Sequence, residues 1–331
     1  MEKRKLNIGL VGCGHLGKIH CRLLNELSGK DSSLNFTGVY DTNKESSDEI
    51  NNLYNLKSAV TFDELLGRID TLIVVTPTST HFETAKKALE KNINLFIEKP
   101  VTGSLVEAEK LIGLVQNSVI KIQVGHVERF NPALTSLDKF ELNPMFIESH
   151  RLAQFNPRGT DVSVIQDLMI HDIDIILHLV NSPIVKIDAN GVAVISEEID
   201  IANARITFAS GCVANLTASR ISLKKMRKMR IFQQNAYISL DFLNNKSEIF
   251  HLTDKETASS GMTFPISDTK KIVFEEPKIE NIENVNPIRN ELESFFDSII
   301  NNTPVKVSLE DGKEAVEAAD QIINIISRTQ N

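Results

Sequence analysis

Short aliphatic runs and longer amphipathic ones alternate along the first third of the chain. Leu6–Val11 is a compact aliphatic run closed by Gly12, the pattern of a buried strand. Leu16, Ile19, Leu23, Leu24 and Leu27 recur at helical spacing and predict a helix over 16–27. Further strands are expected at Asn35–Tyr40, Leu72–Val75, Asn94–Ile97 and Ile120–Val124, with helices at Phe62–Leu66, Phe82–Lys91 and Leu105–Val115. Strand, helix, strand in this order predicts parallel pairing through crossover helices. From Phe146 the pattern changes. Strands succeed one another at Phe146–Leu152, Ile184–Val194, Ala202–Phe208, Cys212–Ser219, Met229–Gln233 and Ala236–Leu243, most of them alternating apolar and polar residues as a sheet with one wetted face does. A helix over Val164–Leu179 interrupts them, Asn244–Pro277 is polar and predicts no element, and helices at Pro287–Ile300 and Glu310–Ile326 close the chain. The expected architecture is α/β followed by α+β. A doubly wound parallel sheet over 1–124 precedes a domain over 125–331 built on a large, open, mainly antiparallel sheet. The last helix is a candidate to pack back on the first domain.

Gly12-Cys13-Gly14-His15-Leu16-Gly17 fits G-x-G-x-x-G and lies between a predicted strand and a predicted helix. This is the context in which the motif holds a dinucleotide. Gly12 permits the tight turn, Gly14 lets a pyrophosphate approach the backbone, and Gly17 lets helix and strand pack closely. His15 and Leu16 open the helix, whose free N–H groups and positive dipole end face the anion. The alternative is a Gly-rich turn without a ligand. Asp41 ends the next strand, where a carboxylate bonds ribose hydroxyls and repels a 2′-phosphate, so NAD is expected in preference to NADP. Asn43 and Lys44 lie close by and could partly accommodate a phosphate.

Composition narrows the picture. A length of 331 residues suits about two domains. The net charge of −8 (36 Lys and Arg against 44 Asp and Glu) disfavours a nucleic-acid partner. Three cysteines, Cys13, Cys21 and Cys212, form no framework and suit a reducing compartment. No apolar stretch approaches the ~18 residues of a membrane span. Basic residues before an apolar run superficially resemble a secretion signal at the start. Gly12, Gly14, His15 and Lys18 break that run, so a strand and a cytoplasmic protein are expected.

Three further segments sharpen the function: Val75-Thr76-Pro77-Thr78-Ser79-Thr80-His81, Glu98-Lys99-Pro100, and Asp167-Leu168-Met169-Ile170-His171-Asp172. With the glycine loop, and in this order over almost the whole chain, they resemble the Gfo/Idh/MocA family of NAD(P)-dependent sugar and cyclitol oxidoreductases. The resemblance implies a Rossmann domain followed by an α+β domain whose open sheet makes a homodimer or homotetramer. Lys99 ends a buried strand at the carboxyl edge of the parallel sheet, where ligands bind. The family implies that it hydrogen-bonds the reacting hydroxyl and meets the nicotinamide; the plain alternative is a surface lysine. Asp167 and His171, four apart, share a helix face. By the same resemblance His171 is the general base, and Asp167 orients it, bonds the substrate or tunes the base; the alternative is a capping or buried structural pair. Nicotinamide is expected near Thr76, Pro77, Glu98 and Lys99, and His81 of the same motif is included among the cofactor-binding residues. Asp172 and Asp174 are expected to be structural, and no metal is expected at His178 and Asp174.

The substrate is less legible. Val124–Pro132 and Arg151–Arg158 offer Arg129 and Arg151 as forks for a diphosphate, against the alternative of ordinary ion pairs. The first of these segments resembles that of the family's nucleotide-sugar dehydrogenases, notably those oxidising C3 of UDP-N-acetylglucosamine. A sugar or nucleotide-sugar is the expected substrate. The alternatives are a cyclitol or free monosaccharide, and a non-enzymatic NAD(H) sensor. A methyltransferase is disfavoured by the E-K-P and D-x-x-x-H patterns. The basic run Lys224–Arg230 is expected to be a solvated sheet edge or face, with a diphosphate or oligomer contact as the sharper alternative, and Met226 and Met229 are expected to pack on apolar neighbours.

Overall fold

The computed structural model describes residues 5–116, 118–156, 162–257, 262–277 and 285–329. The chain divides into two compact units, Met1–His126 with Ile288–Val316, and Val127–Pro287 with Glu317–Asn331.

The first unit runs β1 (Leu6–Val11), α1 (His15–Lys30), β2 (Leu34–Tyr40), α2 (Lys44–Leu53), α3 (Phe62–Leu66), β3 (Thr71–Val74), α4 (His81–Leu89), β4 (Asn94–Glu98), α5 (Leu105–Val115) and β5 (Ile122–Gly125). The five strands form one parallel sheet in the order β2-β1-β3-β4-β5. The order reverses beside β1, so a crevice opens at its carboxyl end, where the glycine loop lies. β3 is buried along its whole length, as its Leu72, Ile73 and Val74 require. Leu23, Leu24 and Leu27 of α1 pack with Ile8, Leu10 and Phe36 and with Leu292, Phe295 and Phe296, so non-polar area leaves water at one continuous core. The helix α2 lies in a stretch without a strong apolar stripe. Asn43 caps it by accepting from the N–H groups of Glu45 and Ser46, and Ile50 anchors it.

The second unit contains α6 (Pro132–Thr135), β6 (Phe146–Leu152), a π-turn at Ile165–Met169, α7 (Ile170–Val180), β7 (Ile184–Val192), β8 (Ile201–Phe208), β9 (Val213–Ser219), β10 (Met226–Gln233), β11 (Ala236–Asp241), β12 (Lys246–Asp254), β13 (Met262–Pro265) and β14 (Lys270–Glu275). Nine strands pair in the order β13-β14-β12-β11-β10-β6-β9-β8-β7. Every pairing is antiparallel except β6 with β9. Alternation of burial along β8, and along β9 up to Ala218, gives the sheet one covered and one wetted face. Two helices follow, α8 (Pro287–Ile300) and α9 (Leu309–Thr329). Gly312 of α9 lies so close to Val124 and Val101 that an added Cβ would meet them at 2.8 and 3.3 Å.

Two expectations change and a third is narrowed. The polar stretch 244–277 holds β12, β13 and β14; in β12 Ser247 and Ile249 turn inward, while Lys246, Glu248 and Phe250 turn outward. The helix expected over Val164–Leu179 is a π-turn leading into an α-helix. The basic run takes the sheet-face form of its expectation and not the edge form: β10 sits between β6 and β11, with Met229 wholly buried, Met226 half-buried and Lys228 and Arg230 exposed on the sheet face.

Candidate active site

The glycine loop is built as a cradle. Gly12 has φ +97°, the left-handed region that disfavours a side chain, and an added Cβ would collide with the Val75 carbonyl. A Cβ on Gly17 would collide with the Gly12 carbonyl, so the helix can start this close to the strand only with glycine there. An added Cβ on Gly14 meets nothing within 4 Å, and no side chain caps the first turn of α1. This open approach to an uncapped helix N-terminus, with His15 and Leu16 in its first turn, fits a dinucleotide pyrophosphate. Asp41 follows β2, and its Oδ2 accepts from the Cys13 N–H at 2.6 Å while Oδ1 accepts from the Asn43 N–H at 2.8 Å. The Asp41 carboxylate is thereby fixed to the glycine loop. Burial first, then the Asp41 charge, pushes the Cys13 thiol up to about 12, which leaves it inert in the loop.

The other motifs of this unit meet at the ends of β3 and β4. Thr76 and Pro77 follow β3, and Thr80 donates to the Thr76 hydroxyl oxygen at 2.8 Å. His81 is buried and has the Pro100 carbonyl 2.9 Å from Nδ1 and the Thr76 carbonyl 2.9 Å from Nε2. Both partners are acceptors, so both contacts are hydrogen bonds when the ring carries both protons. His81 thus stands between the two loops, and the neutral ring, with one N–H, donates to one of the two carbonyls. Glu98 is buried at the end of β4; its Oε1 lies 2.9 Å from Nε2 of the fully buried His20, and its Oε2 accepts from the Lys99 N–H at 3.3 Å. Its side chain thus faces α1 and its own turn. Lys99 is half-buried and leads into a cis bond to Pro100. His20 was not among the expected residues. Its signal is a place on the buried stripe with Leu23, Leu24 and Leu27.

In the second unit Asp167 lies in the π-turn and His171 in the first turn of α7, both half-buried. Widened helical turns of this kind recur at functional sites. Asp172 and Asp174 are buried and anchor α7 through two arginines. Arg151 donates from Nε and Nη2 to Asp172 Oδ1 at 3.0 and 2.7 Å, and from Nη1 to Glu128 Oε1 at 2.8 Å. Arg129 grips Asp174 with Nε at 2.7 Å and Nη2 at 2.9 Å. Burial works against the Arg151 charge, but Asp172 and Glu128 outweigh it and hold it more firmly charged than an ordinary arginine. The two arginines expected as diphosphate forks thus stand in buried ion pairs, the alternative that the sequence left open. Glu128, unnoticed in the sequence, is the hub: it also accepts from Asn131 Nδ2 at 3.0 Å. Pro157 and Arg158 lie outside the described residues. Among the described residues no cluster of His, Cys, Asp or Glu is disposed to hold a metal, and no helix is long and apolar enough to cross a membrane.

Comparison with known proteins agrees with this layout. Residues 6–126 match the model of the oxidoreductase family with an NAD-binding Rossmann fold, and residues 145–239 match the GFO/IDH/MocA C-terminal domain. The UDP-N-acetylglucosamine 3-dehydrogenase of Acidithiobacillus ferrooxidans is 39% identical over 247 residues, 74% of this chain and 77% of its own length. A solved structure of that enzyme superposes with a TM-score of 0.86 and 33% identity over 98% of both chains. The NAD(+)-dependent scyllo-inositol 2-dehydrogenase of Bacillus subtilis is 31% identical over 169 residues, 46% of this chain and 49% of its own. Levoglucosan dehydrogenase in complex with NADH shares the fold, with a TM-score of 0.82 at 18% identity over 98% of both chains. The chain belongs to the GFO/IDH/MocA family and is an NAD-dependent oxidoreductase that moves hydride between a sugar-type CH–OH carbon and nicotinamide.

Proposed function

We propose that the substrate is UDP-N-acetylglucosamine and that its C3 hydroxyl is oxidised to the ketone with NAD⁺ as acceptor. The observation that supports this most is the likeness to the Acidithiobacillus ferrooxidans enzyme over most of both chains. Bound at Gly12, Gly14, His15, Leu16, Gly17 and Asp41, NAD⁺ supplies the hydride acceptor. Thr76, Pro77 and the Glu98–Lys99 turn border the nicotinamide end, and His81 belongs to this group by holding the two loops. The Lys99 ammonium donates a hydrogen bond to the reacting hydroxyl oxygen and stabilises negative charge as it develops. A neutral His171 imidazole takes the hydroxyl proton as hydride leaves the carbon. Asp167, one turn earlier, orients the imidazole or bonds the sugar. The buried arginines act at one remove: Arg151 and Arg129 fix Asp172 and Asp174, and so the helix that presents His171. A homodimer or homotetramer is proposed through the outer face of the nine-stranded sheet, where Phe146, Phe232, Tyr237, Phe250 and Phe274 form a partly exposed aromatic row. A cytoplasmic location goes with it.

NADH formation with UDP-N-acetylglucosamine, myo-inositol and free sugars tests the substrate. Lys99→Ala and His171→Ala should keep NAD binding and lose nearly all turnover. Full activity in either variant refutes the roles given to them, and turnover with myo-inositol alone refutes the nucleotide-sugar.

A further inference from the structure

Arg227 lies in the basic run and differs from the other arginines near α7. It pairs in register with Arg151 across β10 and β6, so the two side chains stand on the same covered face, with backbones about 5 Å apart. Arg151 is buried and fully engaged, by Asp172 on one side and Glu128 on the other. Arg227 is not engaged in this way. Its side chain is 48% exposed, and its contact is one of 3.4 Å from Nη1 to Glu128 Oε1. That oxygen already accepts from Arg151 at 2.8 Å. A charge-assisted bond is normally shorter, so this contact holds Arg227 loosely and leaves most of its fork toward water. The loose guanidinium is three ion-pair links from Asp172, through Glu128 and Arg151, and Asp172 is the residue next to His171. Lys224 and Lys225, both exposed, precede it in the chain. The result is a cationic fork on the His171 side of the sheet that an anion can engage without unpairing any buried charge, because Glu128 keeps Arg151.

We propose that Arg227 is the recognition point for the diphosphate of a nucleotide-linked sugar, binding it bidentately beside the helix that carries His171. This rests on the nucleotide-sugar reading above and adds to it the residue that distinguishes such a substrate from a free sugar or cyclitol. A planar fork matches two phosphate oxygens, whereas a free hydroxylated ring offers it no charge. Arg227 then sets affinity for the handle while the ring chemistry proceeds elsewhere.

The test compares the wild-type chain with Arg227→Met and Arg227→Lys. It uses UDP-N-acetylglucosamine as substrate, and UDP and N-acetylglucosamine as separate inhibitors. Loss of a charge-assisted pair should raise the KM for the nucleotide-sugar and the UDP inhibition constant together, by about 10- to 100-fold. Arg227→Lys should recover part of this, since it restores charge but not the fork. Inhibition by N-acetylglucosamine, which lacks phosphate, should not move. Equal UDP inhibition in wild type and Arg227→Met overturns the inference, even if the wild type turns over the nucleotide-sugar well. If the wild type reduces no NAD⁺ with UDP-N-acetylglucosamine, yet binds UDP by calorimetry and Arg227→Met does not, the substrate assignment fails and the anion site stands. Should the methionine variant not fold, Arg227→Gln and Arg227→Lys give the same comparison.

Discussion

Arg151→Met is the most informative single change for the scaffold of the second unit. Arg151 is 2% exposed and neutralises two carboxylates that are themselves buried, Asp172 at 2% and Glu128 at 4%. Methionine fills much of the same volume, so the lost packing is small. What remains is uncompensated buried charge: Asp172 loses both of its bonds from Arg151, and Glu128 keeps Asn131 and the loose contact to Arg227. Removing one partner of such a buried pair costs about 3–5 kcal/mol. A unit of this size shifts by about 2–4 °C per kcal/mol, so Tm should fall by about 6–20 °C. The magnitude comes from the orphaned carboxylates and not from the bonds themselves, and this can be checked. Adding Asp172→Asn and Glu128→Gln to Arg151→Met removes both orphaned charges and should recover more than half of the loss. Thermal and urea unfolding of the single and triple variants provide the measurement. An Arg151→Met protein melting within about 2 °C of wild type would refute the reasoning, as would a triple variant less stable than the single one. Lys186→Ala, which breaks the exposed Lys186–Asp188 pair on β7, serves as the comparison and should leave Tm nearly unchanged.

Asp41→Asn should weaken NAD binding by about tenfold and narrow the preference for NAD over NADP, measured by fluorescence titration with both; an unchanged ratio would remove Asp41 from coenzyme selection. Asp200 is held well below the usual carboxylate range: burial opposes its charge, but the N–H groups of Ser196, Ile195 and Val194 and the Ser196 hydroxyl outweigh it. Its stabilisation is present above the ordinary carboxylate range and is lost as pH falls toward its lowered native value. Asp200→Asn should therefore narrow the stability difference between pH 7 and pH 3, read from urea unfolding at the two values. Burial pushes the Cys212 thiol up to about 11, and Cys13 stands at about 12. At pH 8 the folded protein should resist iodoacetamide, whereas all three cysteines should label in denaturant; rapid native labelling at Cys13 would show that the glycine loop opens.

The first unit was legible because its signals are local. Leu72–Val75 and Asn94–Ile97 are aliphatic runs that only a buried parallel strand accommodates, and the glycine loop states its own turn geometry. Helix α2 was missed because it buries little beyond Ser47, Ile50 and Asn51; the Asn43 cap is the one strong mark that it starts there. Strands β12 to β14 escape the sequence pattern because β13 is exposed throughout and the polar average of β12 hides the alternation of Ser247, Ile249 and His251. The fate of Arg129 and Arg151 was open for a different reason. Their partners Asp174 and Asp172 lie 45 and 21 residues away, and no periodicity connects an arginine in a short turn or on a strand to a carboxylate on a later helix. The π-turn before α7 has no composition of its own; its sequence reads as ordinary helix.

One imidazole stands 2.9 Å from the carbonyl after Val75 and 2.9 Å from the carbonyl after Lys99. Two segments that are distant in the chain are thereby made mechanically a single part. A displacement of the Thr76 loop is transmitted to the Lys99 turn, so that turn cannot drift independently of the loop beside the cofactor cradle.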